Sequence, residues 1–182
     1  MKFLTHIARL LVAATFIFSG FVKLVDPLGS AYKFQEYFSA DVLNLEFLIP
    51  YALPFSIFLI IAEIILGIKL LVGFKPKLTI WSLLVMITIF LFLTWYSAYY
   101  DKVTDCGCFG DAIKLTPWET FYKNIVLVVL IAFLLFNTKH VSVLVSKNFA
   151  MWISFMSFIV FLFITYYVLV HLPIIDFRPY AV

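Results

Sequence analysis

Cysteine is nearly absent from this chain: two residues in 182, Cys106 and Cys108, separated only by Gly107. That excludes a disulfide-rich scaffold, which needs several pairs. Histidine is as scarce, at His6, His140 and His171. With no second cysteine pair and so few histidines, a structural zinc site has no ligand set, and no metal is expected. Charge is also sparse, at 13% of residues, and glycine occurs only 6 times. There is no low-complexity stretch and no convincing internal repeat. A soluble domain carries about twice that share of charge. What fills the chain instead is apolar, 65% hydrophobic and 20% aromatic, with 22 phenylalanines. The composition is that of a polytopic membrane protein whose first partner is the lipid bilayer. No nucleic-acid partner is expected, and the oligomeric state is not readable.

Hydrophobic runs and breakers predict five spans in an all-α bundle. The first covers about His6 to Val25 and ends at Asp26-Pro27, because proline cannot continue the helical ladder and restricts the residue before it. Its basic start resembles a signal peptide, but the run is long and Ser19-Gly20-Phe21-Val22-Lys23 is no small-x-small cleavage site, so a retained helix is expected. Leu28 to Glu46 mixes aromatic and charged residues and reads as a short interfacial helix or a packed loop. The second span runs from about Phe47 to Val72, with Pro50 and Pro54 near its start, and the third from Leu78 to about Tyr100. Thr116-Pro117-Trp118-Glu119 is a strong helix start, with Thr at the cap, Pro in the first turn and Glu reaching back. It opens a fourth span to about Phe136, and a fifth runs from about Phe149 to Val170, stopped by Pro173. The expected units are a four-helix membrane domain over 1–136 with a cysteine loop at 101–116, a turn and fifth helix over 137–172, and a short tail over 173–182.

Charge sets the expected orientation. Five crossings place Lys2, Arg9, Lys69, Lys75, Lys77, Lys139 and Lys147 on one side, with no acid. The other side holds six basic residues and nine acids, among them Asp26, Glu36, Asp101, Asp105, Asp111 and Glu119. The Lys and Arg excess is slight, yet the acids segregate completely. This predicts a bacterial inner-membrane protein with a cytoplasmic N-terminus and a periplasmic C-terminus. The cysteines then face the oxidising side, where disulfides persist.

The loop Asp105-Cys106-Gly107-Cys108-Phe109-Gly110-Asp111 is the clearest break in the apolar pattern. Cα atoms two residues apart span roughly the 4.4–6.8 Å that a disulfide needs, so the ring is closable but tight. Gly107 removes a Cβ that would obstruct it. A strained ring is the labile, oxidising kind. The readings open at this point are a redox-active pair, a static staple, inert thiols and half a metal site. Asp105 and Asp111 disfavour thiolate beside them, so the sequence shows a closable pair rather than an activated cysteine.

Glu63 is the single acid inside a predicted span. An intramembrane carboxylate is costly and faces the bundle interior. It is a candidate for proton relay or for contact with a bound headgroup; otherwise a protonated Glu63 bonded to a neighbouring Thr or Tyr holds helices together. Lys23, near the outer end of the first helix, either snorkels to the surface or sets its ammonium beside a thiolate or a ligand anion.

Three stretches together resemble the DoxX/MauE group of small membrane proteins: Phe18-Ser19-Gly20-Phe21-Val22-Lys23-Leu24-Val25-Asp26-Pro27, Ala62-Glu63-Ile64-Ile65-Leu66-Gly67, and the cysteine loop. The resemblance covers roughly residues 5 to 135. It implies a four-helix DoxX-like core, to which the fifth transmembrane helix is an addition. The MauE branch is associated with maturation of a periplasmic, disulfide-rich dehydrogenase subunit, and DoxX relatives with quinone-coupled thiol or sulfur oxidation. By resemblance Cys106 and Cys108 are the catalytic redox pair; Glu63 and Lys23, on the reading of the residues above, are the candidate cofactor contacts. The expected function is a membrane thiol–disulfide oxidoreductase that exchanges electrons between a periplasmic dithiol protein and a membrane quinone. The alternative is a non-catalytic subunit or assembly factor whose Cys106–Cys108 bridge is a staple.

Overall fold

A computed structural model describes residues 2–100, 115–141 and 143–171. Among them are six α-helices: α1 (Lys2–Val25), α2 (Pro27–Phe38), α3 (Ala52–Val72), α4 (Pro76–Tyr100), α5 (Pro117–Phe136) and α6 (Lys147–His171). No strand occurs among the described residues. Five stretches are long and apolar enough to cross a membrane: α1, Glu46–Val72, α4, α5 and Asn148–His171. The chain is an all-α, polytopic membrane bundle. Large apolar side chains such as Phe18, Phe58, Phe92, Val129 and Phe163 remain exposed on it, as lipid-facing surfaces require.

Local chemistry accounts for the boundaries. Asp26 separates α1 from α2, and its carboxylate accepts from the Gly29 N–H at 3.0 Å. The proline at 27 therefore starts a helix as well as ending one. Residues 28–46 hold a true helix only to Phe38, then turns. Pro50 falls in a 3₁₀ turn over Glu46–Tyr51, so the regular helix of the second span begins later than expected, at Ala52. Gly73 closes α3 in the left-handed conformation (φ 80°), which only glycine adopts freely. Thr116 and Glu119 form the expected reciprocal cap on α5: Thr116 N–H donates to Glu119 Oε2 at 2.9 Å, and Glu119 N–H donates to Thr116 Oγ1 at 3.3 Å.

Helices α1 and α3 make the most extensive contact, and α4 and α5 form a second close pair. Two glycines permit the first approach. A Cβ on Gly20 would fall 2.5 Å from Ile64 Cγ1 and 3.2 Å from the Ile60 carbonyl; one on Gly67 would fall 2.7 Å from Ile17 Cγ1. Small residues let membrane helices touch backbone to backbone, which supplies the packing that lipid cannot drive. The main core joins Val12 and Phe16 of α1, Leu70 of α3, Leu83 and Ile87 of α4, and Ile131 of α5. A smaller cluster joins Leu24, Ile60 and Ile64 to Phe161 and Ile164 of α6. The fifth span is thus packed against the α1–α3 seam.

Candidate functional site

The site forms where Gly20 presses α1 onto α3. A Cβ at Gly20 would also lie 3.2 Å from Glu63 Cβ, so the seam is tightest beside the intramembrane acid. One turn further along α1, Lys23 Nζ donates to Glu63 Oε1 at 2.6 Å, and the two side chains are 8% and 1% exposed. The same ammonium donates to Ser19 Oγ at 3.0 Å and lies 5.1 Å from the centroid of the Phe90 ring on α4. Ser19 sits four residues before Lys23 on one helical face.

Two readings of these residues are corrected here. Lys23 does not snorkel outward; it is buried, because an opposite charge inside the bundle offers a better partner than a long reach to headgroups. Glu63 does not rest on a neighbouring Thr or Tyr; its partner is the ammonium 40 positions away. The pair is short and charge-assisted, the geometry that offsets desolvation in a low-dielectric interior.

Glu63 Oε2 is buried and takes no hydrogen bond from a described protein group. Glu63 borders a cavity of about 20 Å³, whose other polar walls are Thr15, Ser19, Lys23, Lys123 and Asn124. Phe16, Ile87, Phe90 and Leu127 supply its apolar lining. Asn124 is buried on α5 and donates to Thr94 Oγ1 of α4 at 3.3 Å. Sequence reading had not singled out Lys123 or Asn124. The available signal was polarity early in an apolar span, with both residues in the second turn of α5 and at the same membrane level as Lys23.

Arg9 is a second buried cation that the sequence counted only as surface charge. It is 2% exposed. Its Nε donates to the Leu70 carbonyl at 2.8 Å and its Nη2 to the Leu71 carbonyl at 2.7 Å. These belong to the last turn of α3, at the negative end of the helix dipole; the Leu70 carbonyl also accepts from the Gly73 N–H at 3.2 Å. Arg9 and the Lys23–Glu63 pair therefore tie α1 to α3 at two levels.

Cys106 and Cys108, with Asp105 and Asp111, lie outside the described residues, as does the tail beyond His171. Among the described residues no group of His, Cys, Asp and Glu could hold a metal ion. The helices that lead into and out of the cysteine loop are packed together as α4 and α5, and the exit is fixed by the Thr116–Glu119 cap.

A helical membrane bundle with a buried Lys–Glu pair between its first and third helices defines a class of polytopic membrane protein. The particular family follows from comparison: the model for methylamine utilisation protein MauE matches residues 1–137, and the chain belongs to the MauE family. It is also 28% identical over 144 residues to Protein TlpB of Flavobacterium psychrophilum, covering 74% of this chain and 37% of that protein. The chain thus spans well under half the length of that relative. No solved structure matches it.

Proposed function

We propose that the protein is a thiol–disulfide redox protein of the bacterial inner membrane, working through Cys106 and Cys108. The observation that carries this reading is the sequence Cys106-Gly107-Cys108 itself. It holds all the cysteine of the chain, on the connection between two helices that pack together. In the oxidising direction a thiolate of a periplasmic partner attacks the Cys106–Cys108 disulfide and forms a mixed disulfide. The partner's second thiol displaces it, leaving the partner oxidised and Cys106 and Cys108 as thiols. Returning them to the disulfide removes two electrons and two protons, and a membrane quinone is the proposed acceptor by class.

The Lys23–Glu63 site was the expected contact for that quinone. Its donor set suits a quinone oxygen, but about 20 Å³ does not admit a six-membered ring, since one water alone needs roughly 10–15 Å³. The residues present do not fit the ring. What Lys23 and Glu63 offer the reaction is an ionisable group in a polar pocket, suited to holding or passing a proton.

A second reading, an assembly factor with a stapled loop, is favoured by Asp105 and Asp111, which disfavour thiolate at the neighbouring cysteines. Trapping the thiol state in native membranes over a series of redox buffers separates the two. A pair that cycles, with a measurable midpoint potential, supports the oxidoreductase. A disulfide that stays closed under mild reductant supports the staple. A membrane-impermeant thiol reagent applied to intact spheroplasts should label the reduced cysteines; labelling only after lysis would reverse the orientation.

A further inference from the structure

We infer that the ligand of the Lys23–Glu63 cavity is a bound water held by Glu63 Oε2. The inference deepens the redox reading and rests on it only for the use made of the site. Three observations carry it. First, Glu63 is 1% exposed, yet its Oε2 has no donor among the described protein groups, while Oε1 is engaged by Lys23. A buried carboxylate oxygen without a donor forfeits its full hydration, so such atoms recruit water. Second, the cavity of about 20 Å³ exceeds the room one water needs and falls far short of a ring. Third, the walls are polar enough to hold a water in place. Such a water makes about three hydrogen bonds, and Ser19, Thr15 and Asn124 border the same space.

The chemistry follows from the contact. A protonated water donates its proton to Oε2, leaving neutral water and a neutral carboxyl; the reverse step returns it. Among the described residues, the other titratable groups lining the cavity are Lys23 from α1 and Lys123 from α5.

The test is hydroxyl-radical labelling of the full chain in lipid nanodiscs, which marks side chains beside bound water. Phe16 and Phe90 line the cavity; Phe133 packs on the core without lining the cavity and serves as the reference. Expected is labelling of Phe16 and Phe90 several-fold above Phe133. It should fall to the reference level in the double variant Lys23→Met/Glu63→Leu. It should also fall in Thr15→Leu, which fills the cavity and leaves the ion pair in place, so the result does not depend on the double variant folding. Labelling of native Phe16 and Phe90 at the reference level means a dry cavity and overturns the inference. Protection of both residues on adding a short-chain quinone means that the ring enters, and also overturns it. The measurement does not involve the cysteines, so failure of the thiol–disulfide reading would show separately, in their redox titration.

Discussion

Lys23 and Glu63 meet at 2.6 Å inside the bundle, one from each of the two helices that touch most closely. Both side chains are buried, so bulk solvent cannot take the place of either partner. Removing one partner leaves an uncompensated buried charge, which costs about 3–5 kcal/mol, while replacing both with apolar residues of similar volume is often neutral. Lys23→Met and Glu63→Leu should each lower the unfolding midpoint in detergent strongly, and the double variant should recover most of the loss. Additive losses in the double variant would show that the pair is not coupled.

Glu63→Gln keeps an oxygen for Lys23 but cannot carry a proton. If the site serves proton transfer, dithiol oxidation by purified protein should fall by about 10²-fold or more, with folded yield retained. Full activity of the Gln variant removes the proton role. A loss of yield alone assigns Glu63 to helix packing.

Gly20 has space for no side chain, since its Cβ would meet Ile64, the Ile60 carbonyl and Glu63 together. Gly20→Val should separate α1 from α3, with a cost of about 1–3 kcal/mol or more from overpacking. The diagnostic is a loss that exceeds that of Gly29→Val, where the nearest atoms belong to the Asp26 side chain and can move. Equal losses would deny the α1–α3 seam its special closeness.

Arg9 donates to two carbonyls at the end of α3. Arg9→Met keeps the apolar stem and removes those bonds, and hydrogen bonds to charged groups are worth about 1.5–3 kcal/mol each. Hydrogen exchange should show the last turn of α3, Lys69 to Val72, opening more readily, while α5 is unchanged. Uniform loosening of both helices would mean that Arg9 acts through global stability alone.

In thiol exchange one cysteine attacks and the other resolves. Cys106→Ala or Cys108→Ala, one of them but not both, should accumulate a reductant-sensitive adduct of higher mass, read on a non-reducing gel. The double substitution should give none. Gly107→Val should shift the pair toward thiols, because a β-branched residue makes the ring harder to close. Two fully active single variants would end the redox reading.

The sequence by itself determined the features that depend on neighbours along the chain. The α5 start at Thr116-Pro117-Trp118-Glu119 is legible because a capping box is closed within four residues. The five spans are legible because each must satisfy its own backbone bonds in lipid and so shows as an unbroken apolar run. Glu63 stands out because a carboxylate in such a run is costly wherever it points. The tertiary structure alone decided which charge answers it. Lys23 read as a surface-seeking residue and Arg9 as one more cation for the inner side, since an isolated helix gives a long side chain no reason to turn inward. The reason appears only when Gly20 and Gly67 bring α3 against α1, placing the Glu63 carboxylate and the carbonyls of Leu70 and Leu71 within reach. A contact across 40 or more positions is a property of helix packing, and no local periodicity encodes it.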